Sequence, residues 1–437
     1  MATNDVEETE QIIPNEEVEK VNEPVSYLFI VLFYFLGATC FIPNNFYVTA
    51  NEYWMFKFRD PHIPFNNSDT QKTTLQKKFT AYTNMVGSIG MILFLFITFA
   101  ISKKVSLQKR IVGGMFLLLV LFCITLLFVF VNTDSWQIGF FVIAVGISGL
   151  FSASTAVLLI SLFQLSARFP PRCMAAQLAG QSVCGILSAS IQVLTLLAAP
   201  TVKGTAGLYY AIATGVITAT TIAYLTVSKK SEYLQNKLEN DPEEEEEEEG
   251  EETSSKKFDI VKIKRVLRKL ALILVSLTLC GVITQLLHPG LTALIESSGK
   301  GTNVWSDSYF LPVCVFLLFN TMEFIGRELS NHIQLLKNKY LILGTSVTRV
   351  ILFPLILLCN IQPRNHLPVV FHDDVYFIIF MILLAFSNGY VQNMVIIVLP
   401  NYCSREDKKI SMLAVMLIMV VFMTSASILS GVLVSLI

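Results

Sequence analysis

Apolar residues fill this chain in long uninterrupted runs, and polar residues gather in the short breaks between them. A helix needs ~20 apolar residues to cross a hydrocarbon core of ~30 Å. Eleven runs meet that need and predict spans over 26–48, 79–101, 111–131, 137–164, 173–198, 206–227, 269–294, 308–332, 340–361, 374–399 and 410–436. Several exceed the minimum, which predicts tilt or extension beyond the bilayer. Two stretches break the pattern. Residues 1–25 hold Glu7, Glu8, Glu10, Glu16, Glu17, Glu19 and Glu23 with two prolines, and read as a disordered acidic tail. Residues 228–268 hold seven consecutive glutamates, Glu243 to Glu249, and then basic residues from Lys256 onward; they read as a linker. The expected fold is an all-α integral membrane protein of eleven transmembrane helices, six over 26–227 and five over 269–437.

Basic residues orient the spans. With the N-terminus in the cytosol, the inner loops hold Lys103, Lys104, Lys109 and Arg110; Arg168 and Arg172; Lys337 and Lys339; and Arg405, Lys408 and Lys409. An odd number of spans then leaves the C-terminus outside. Asn66-Asn67-Ser68 is the one N-glycosylation sequon, and it falls in the expected outer loop 51–78, so Asn66 is the predicted glycosylation site. The basic stretch from Lys262 to Lys269 reads as an ordinary positive-inside flank or as a patch lying on anionic lipid.

Composition agrees with this reading. The chain is 53% hydrophobic and 15% charged, where soluble domains carry ~25% charged residues. A net charge of −1 averages unlike regions and points to no partner. The eight cysteines show no CxxC spacing and read as small buried hydrophobes. The polar, acidic start gives no cleavable signal pattern, so the first apolar run is expected to act as an uncleaved span. Within the tail, Glu8-Thr9-Glu10-Gln11-Ile12-Ile13 loosely resembles an acidic dileucine sorting signal, with plain tail as the alternative.

Polar residues inside the spans are few, and each needs a reason. Glu323 and Arg327 lie four residues apart in the eighth run, stacked on one helix face. An ionised side chain in hydrocarbon costs ~2.5–3.5 kcal/mol on insertion scales. The pair is either an intrahelical salt bridge or a solute site, in which the Arg fork suits vicinal hydroxyls or carbonyls and the Glu orients it. In the first run Pro43 interrupts the helix beside Asn44 and Asn45, whose carboxamides can bind a solute or satisfy freed backbone. Gln181 in the fifth run sits among Ala179, Gly180 and Gly185; it can bond a heterocycle or a neighbouring helix. Arg349 is expected to snorkel or pair, His288-Pro289 to bend the seventh helix, and Asn388 and Asn393 to pack and hydrogen-bond. No GxxxxGK[ST] motif, no metal spacing and no nucleophile constellation is present, which argues against a P-loop motor, a metal or cofactor, or an enzyme.

Taken in order, these motifs resemble those of the equilibrative nucleoside transporters. Pro43-Asn44-Asn45-Phe46-Tyr47-Val48-Thr49-Ala50 is similar to that family's Pro-Trp-Asn-Phe-Phe element, and Gly180-Gln181 to its Gly-Gln. Glu323-Phe324-Ile325-Gly326-Arg327 is similar to its Asp-Trp-Leu-Gly-Arg. The stretch from Phe353 to Arg364 and Ser387-Asn388-Gly389-Tyr390 resemble its late signatures. The resemblance implies a major-facilitator-like 6+5 arrangement and facilitative, sodium-independent transport of purine and pyrimidine nucleosides such as adenosine and uridine. It implies no cofactor, no nucleic-acid polymer and no protein partner beyond the bilayer. By the same resemblance Asn45 and Gln181 line the base side of a cavity, Arg327 binds ribose hydroxyls with Glu323 as its partner, and Phe316 and Asn320 face the cavity. Asn44, Val48 and His288 take specificity or gating positions. Three residues depart from the pattern: Asn44 for Trp, Glu323 for Asp and His288 for Phe. The plasma membrane is the expected location, with a proton-coupled nucleoside or nucleobase carrier of an endolysosomal membrane as the alternative.

Overall fold

Every predicted run is mostly helical in the computed structural model, which describes residues 26–63, 72–102, 104–199, 201–239, 260–362, 364, 368–402 and 408–436. The acidic tail, Asn66 and the run from Glu243 to Glu249 lie outside these residues. The first group of helices is α1 (Tyr27–Thr49), the short α2 (Asn51–Lys57), α3 (Thr74–Ile101), α4 (Leu107–Phe130), α5 (Gln137–Ala167), α6 (Pro171–Ala198) and α7 (Val202–Lys230), followed by the short α8 (Glu232–Glu239). The second group is α9 (Ile260–Leu287), α10 (Leu318–His332), α11 (Lys339–Thr348), α12 (Leu352–Leu357), α13 (Asp374–Val398) and α14 (Lys408–Leu436). Among the described residues, extended pairing is limited to two isolated bridges, Ile295 with Ile361 and Cys359 with Phe371. Among the described residues, ten helical segments are long and apolar enough to cross a membrane. The last predicted span is the 29-residue α14, in which Val421–Val434 forms a shorter apolar stretch.

Helix ends differ from the predicted span ends where capping extends a helix past its apolar run. α3 begins at Thr74 rather than at 79 because Thr73 closes a capping box with Gln76: the Gln76 amide donates to Thr73 Oγ1 at 3.2 Å and the Thr73 amide to Gln76 Oε1 at 2.7 Å. Pro171 opens α6 at the first helical position, where its missing N–H costs nothing. α9 begins at Ile260, so most of the basic stretch of the predicted linker forms its first turns, and Lys264 and Arg265 there are exposed. α9 stops at Leu287, and the chain turns at His288-Pro289 instead of bending within a helix. The eighth predicted span is not uniformly α-helical. π-helical turns over Trp305–Tyr309 and Leu311–Leu317 precede α10. Pro312 lacks the N–H that a regular ladder needs there, and wider turns are a common accommodation.

The largest buried apolar cluster draws only on residues between Phe29 and Leu234, and two others only on residues between Val266 and Leu399. Each group is tied by close glycine contacts. A Cβ on Gly37 of α1 would strike the Gln177 carbonyl of α6, and one on Gly180 of α6 would strike the Tyr34 carbonyl. The second group repeats the device: Gly326 of α10 lies under the Phe386 carbonyl and Gly389 of α13 under the Glu323 carbonyl. Without a hydrophobic drive between helices in lipid, such close backbone approach supplies the packing.

The helix ends alternate between two sides, called here the first-loop side (marked by residues 50–63) and the linker side (marked by residues 231–239). On the first-loop side Lys57 is buried against Tyr53 and Phe140, with Nζ donating to the Val131 carbonyl at 2.7 Å. Burial pulls its pKa down to about 8. On the linker side Arg168 donates to the carbonyl of Lys237 at 3.0 Å, holding α8 against the first group. The two groups meet along two seams, α6 with α10 and α3 with α14.

Candidate functional site

The charged pair lies on the α6–α10 seam. Arg327 Nη2 donates to Glu323 Oε1 at 2.8 Å, one turn apart on α10. The longer Glu side chain, where the resemblance leads one to expect Asp, therefore leaves the pair in register. Arg327 is also the link to the first group, because Nη1 donates to Ser182 Oγ on α6 at 3.0 Å. From α13, Asn388 Nδ2 donates to the same Glu323 oxygen at 2.9 Å. The Glu323 and Arg327 side chains keep 19% and 36% exposure, so the guanidinium is held by partners and still partly exposed. Asn393 Nδ2 reaches the Arg327 carbonyl at 3.2 Å and Ser330 Oγ at 2.7 Å, fixing the backbone below the pair.

The other predicted residues follow the same seam. Asn320 lies one turn before Glu323; its Nδ2 donates to the Phe316 carbonyl at 2.8 Å, and its carboxamide fills the notch left by Gly185 of α6. Gln181 is partly buried, and its Nε2 has no hydrogen-bond partner among the described residues. Asn45 Nδ2 donates to the Phe41 carbonyl one turn back at 3.0 Å, and its carboxamide also meets Cys184 of α6. Asn44 points elsewhere: it is exposed and accepts from Ser152 Oγ of α5 at 3.4 Å. The structure thus gathers Asn45, Gln181, Asn320, Glu323 and Arg327 around α1, α6 and α10, with Asn44 turned toward α5.

Toward the first-loop side the seam is filled by apolar side chains. Phe316, Ala189 and Ala293 form a small buried cluster, with Val48 packed against it. His288 stacks on Phe319 at 3.9 Å between ring centroids and meets Phe316 edge-on at 5.9 Å. Its Nδ1 lies 2.9 Å from Thr292 Oγ1. Beyond this cluster is a cavity of about 150 Å³ whose lining includes Thr49, Gln192, Lys72, Glu296 and Lys300. Across it Glu296 Oε1 receives Lys72 Nζ at 2.8 Å and Lys300 Nζ at 2.6 Å. Burial pushes the Lys72 ammonium below its usual range, against the opposing pull of Glu296.

Sequence reasoning did not single out this ion cluster, nor Ser182, Ser88 or Ser427. A charge pressed against the end of an apolar run, as Glu296 is, was the available signal. Arg349 was expected to snorkel or to pair. It does not snorkel: it is 3% exposed and donates to Ser387 Oγ at 2.9 Å and Thr284 Oγ1 at 2.6 Å.

Comparison with known proteins gives a consistent result. The profile of the family described as Nucleoside transporter matches residues 142–436. Equilibrative nucleoside transporter 3 of Rattus norvegicus is 29% identical over 395 residues, covering 86% of this chain and 82% of that one. Equilibrative nucleoside transporter 1 of Homo sapiens is 27% identical over 401 residues, covering 83% and 87%. A crystal structure of a variant of the nucleoside transporter NupG superposes with a TM-score of 0.54 over 93% of this chain and 90% of that one. At 13% identity that likeness is one of fold. Matched by the family profile over most of its helices, and by relatives along nearly its whole length, this chain belongs to the equilibrative nucleoside transporter family.

Proposed function

We propose that this protein carries nucleosides, adenosine and uridine among them, down their gradient by alternating access, with the α6–α10 seam as the substrate site. One observation carries the reading: Arg327 is bonded to both groups of helices and still partly exposed. Its fork suits the vicinal hydroxyls of a ribose. Glu323 orients it, while Asn45 and Gln181 serve the base, and Phe316 and Asn320 line the wall. The unpartnered Nε2 of Gln181 supports that assignment, because a buried amide donor is costly until something accepts from it. Val48, Phe316 and His288 act as the constriction on the first-loop side, and Asn44 faces a separate wall.

The chain has eleven spans in a major-facilitator-like arrangement, a six-helix bundle over 26–227 and a five-helix bundle over 269–437, joined by the linker 228–268. The N-terminus is cytosolic, the C-terminus extracellular, Asn66 glycosylated, and the plasma membrane is the site of action. The first-loop side is then the outer side. Lys72, Glu296 and Lys300 hold it shut, and transport requires that this cluster part and reform. Comparable affinity in both states suffices, because the solute gradient sets direction. The proton-coupled alternative draws no support from the pair, in which Glu323 accepts from two donors.

Uptake of labelled adenosine and uridine in cells lacking endogenous nucleoside transport tests the reading. Arg327→Ala is expected to lose at least about tenfold in uptake, the scale of a hydrogen bond to a charged group. Unchanged uptake at normal surface expression would sink the ribose contact.

A further inference from the structure

Behind the charged pair lies a second cation that the transport reading does not use. Arg349 is buried, and its bonds go to two hydroxyls, Ser387 Oγ on α13 and Thr284 Oγ1 on α9. Its Nε has no partner among the described residues. A buried cation with only neutral direct partners is expensive, so a reason for it is required.

We propose that Arg349, Thr284 and Asn388 are positioning residues, a directional hydrogen-bond relay that fixes how Glu323 presents Arg327 to the substrate. The inference rests on the reading of Arg327 as the ribose contact. The direction follows from the two ends. A guanidinium can only donate, so Thr284 Oγ1 must accept from Arg349 at 2.6 Å. The single Thr284 hydrogen is then free for Asn388 Oδ1 at 2.8 Å, or for the Cys280 carbonyl at 3.0 Å. Gln392 Nε2 at 3.0 Å and Cys280 Sγ at 3.6 Å approach the same Asn388 oxygen. At the other end the Glu323 carboxylate can only accept, so Asn388 must turn its NH₂ toward it, as it does at 2.9 Å. A donor-only group at one end and an acceptor-only group at the other thus set the Asn388 amide one way round. The relay spans α11's end, α9, α13 and α10, and it ends on the oxygen that holds Arg327. Such a chain polarises each bond in turn and keeps a single arrangement.

The relay makes a prediction that packing alone does not. Thr284→Val keeps the side-chain shape and removes the central hydroxyl. It is expected to raise the KM for uridine about threefold to tenfold, with maximal uptake per surface transporter unchanged. Half-maximal competition by 2′,3′-dideoxyuridine, which lacks the hydroxyls Arg327 would hold, should stay within about twofold. Thr284→Ser should restore the uridine KM. In an Arg327→Ala background Thr284→Val should add nothing, because its effect runs through the missing guanidinium. Equal shifts for both ligands, or a full further loss in that background, would overturn the relay. If Arg327→Ala itself leaves the uridine to dideoxyuridine ratio unchanged, the ribose reading falls and the relay with it. If Arg327→Ala abolishes the ratio and Thr284→Val preserves it, only the relay falls.

Discussion

The two seams that join the helix groups are built from different chemistry. On the α6–α10 seam an arginine crosses to a serine, Arg327 to Ser182, and the cation is backed by Glu323 and Asn388. On the α3–α14 seam the contacts among the described residues are between neutral groups. Ser88 Oγ donates to Ser427 Oγ at 3.1 Å, Thr424 Oγ1 reaches the Ser88 carbonyl at 3.4 Å, and Gln285 Nε2 of α9 donates to Ser427 at 2.8 Å. Hydroxyl contacts between membrane helices are worth ~0.6 kcal/mol on average, whereas bonds to a charged group are worth ~1.5–3 kcal/mol. Under the proposed function, the charged seam discriminates among solutes and the neutral one slides or separates at little cost. An alternating-access carrier needs both properties.

Breaking the charged seam should have the largest effect. Glu323→Ala leaves Arg327 with Ser182 as its one remaining side-chain partner among those described. Uridine uptake should fall roughly tenfold to hundredfold, in line with a lost charged hydrogen bond. Asp, one methylene shorter, should recover most of it. If Glu323→Ala were as active as the parent at equal surface level, the seam would not differ in kind from its neutral counterpart.

How much of this contrast was legible in the sequence depends on charge. Glu323 and Arg327 stood out because ionised groups are costly in an apolar run, and the helices stood out because hydropathy runs are long. The partners did not stand out. Ser88, Ser182 and Ser427 are single hydroxyls in apolar helices, where a hydroxyl usually bonds its own helix backbone. Thr214 does this with the Tyr210 carbonyl at 2.7 Å. Nothing in spacing separates the serine that crosses a seam from the threonine that does not. Asn388 was expected to pack and hydrogen-bond, and it does; which groups it bonds was not legible, because Thr284 and Glu323 lie on two other helices. Asn44 and Asn45 are adjacent in sequence yet face α5 and α6, because neighbours on a helix are ~100° apart.

The ion cluster on the first-loop side should give an intermediate effect. Glu296 is 8% exposed and accepts from Lys72 and Lys300; Glu296→Gln leaves two ammonium groups facing each other across the cavity. If that cluster holds the first-loop side shut, a membrane-impermeant maleimide should label a Val48→Cys variant about threefold faster in the Glu296→Gln background, as expected from one weakened charged contact. High salt should change the parent's labelling rate little, because pairs this buried are screened much less than exposed ones. Equal labelling rates would assign closure to the Phe316 constriction alone and make the cluster incidental to the seam.

The neutral seam should give the smallest effect, and that smallness is itself the test. Ser427→Ala removes the oxygen that accepts from both Ser88 and Gln285. The Gln285 carboxamide is partly buried and can turn to other acceptors, so the cost stays near the average for such contacts. Uridine KM should change by less than about threefold, and the preference for uridine over 2′,3′-dideoxyuridine should not change, because no group on this seam reads a hydroxyl. Combined with Glu323→Ala, the two effects should multiply independently, since the sites share no partner. A Ser427→Ala transporter that lost ribose discrimination as Arg327→Ala is expected to do would join α14 to the substrate site and erase the distinction between the seams.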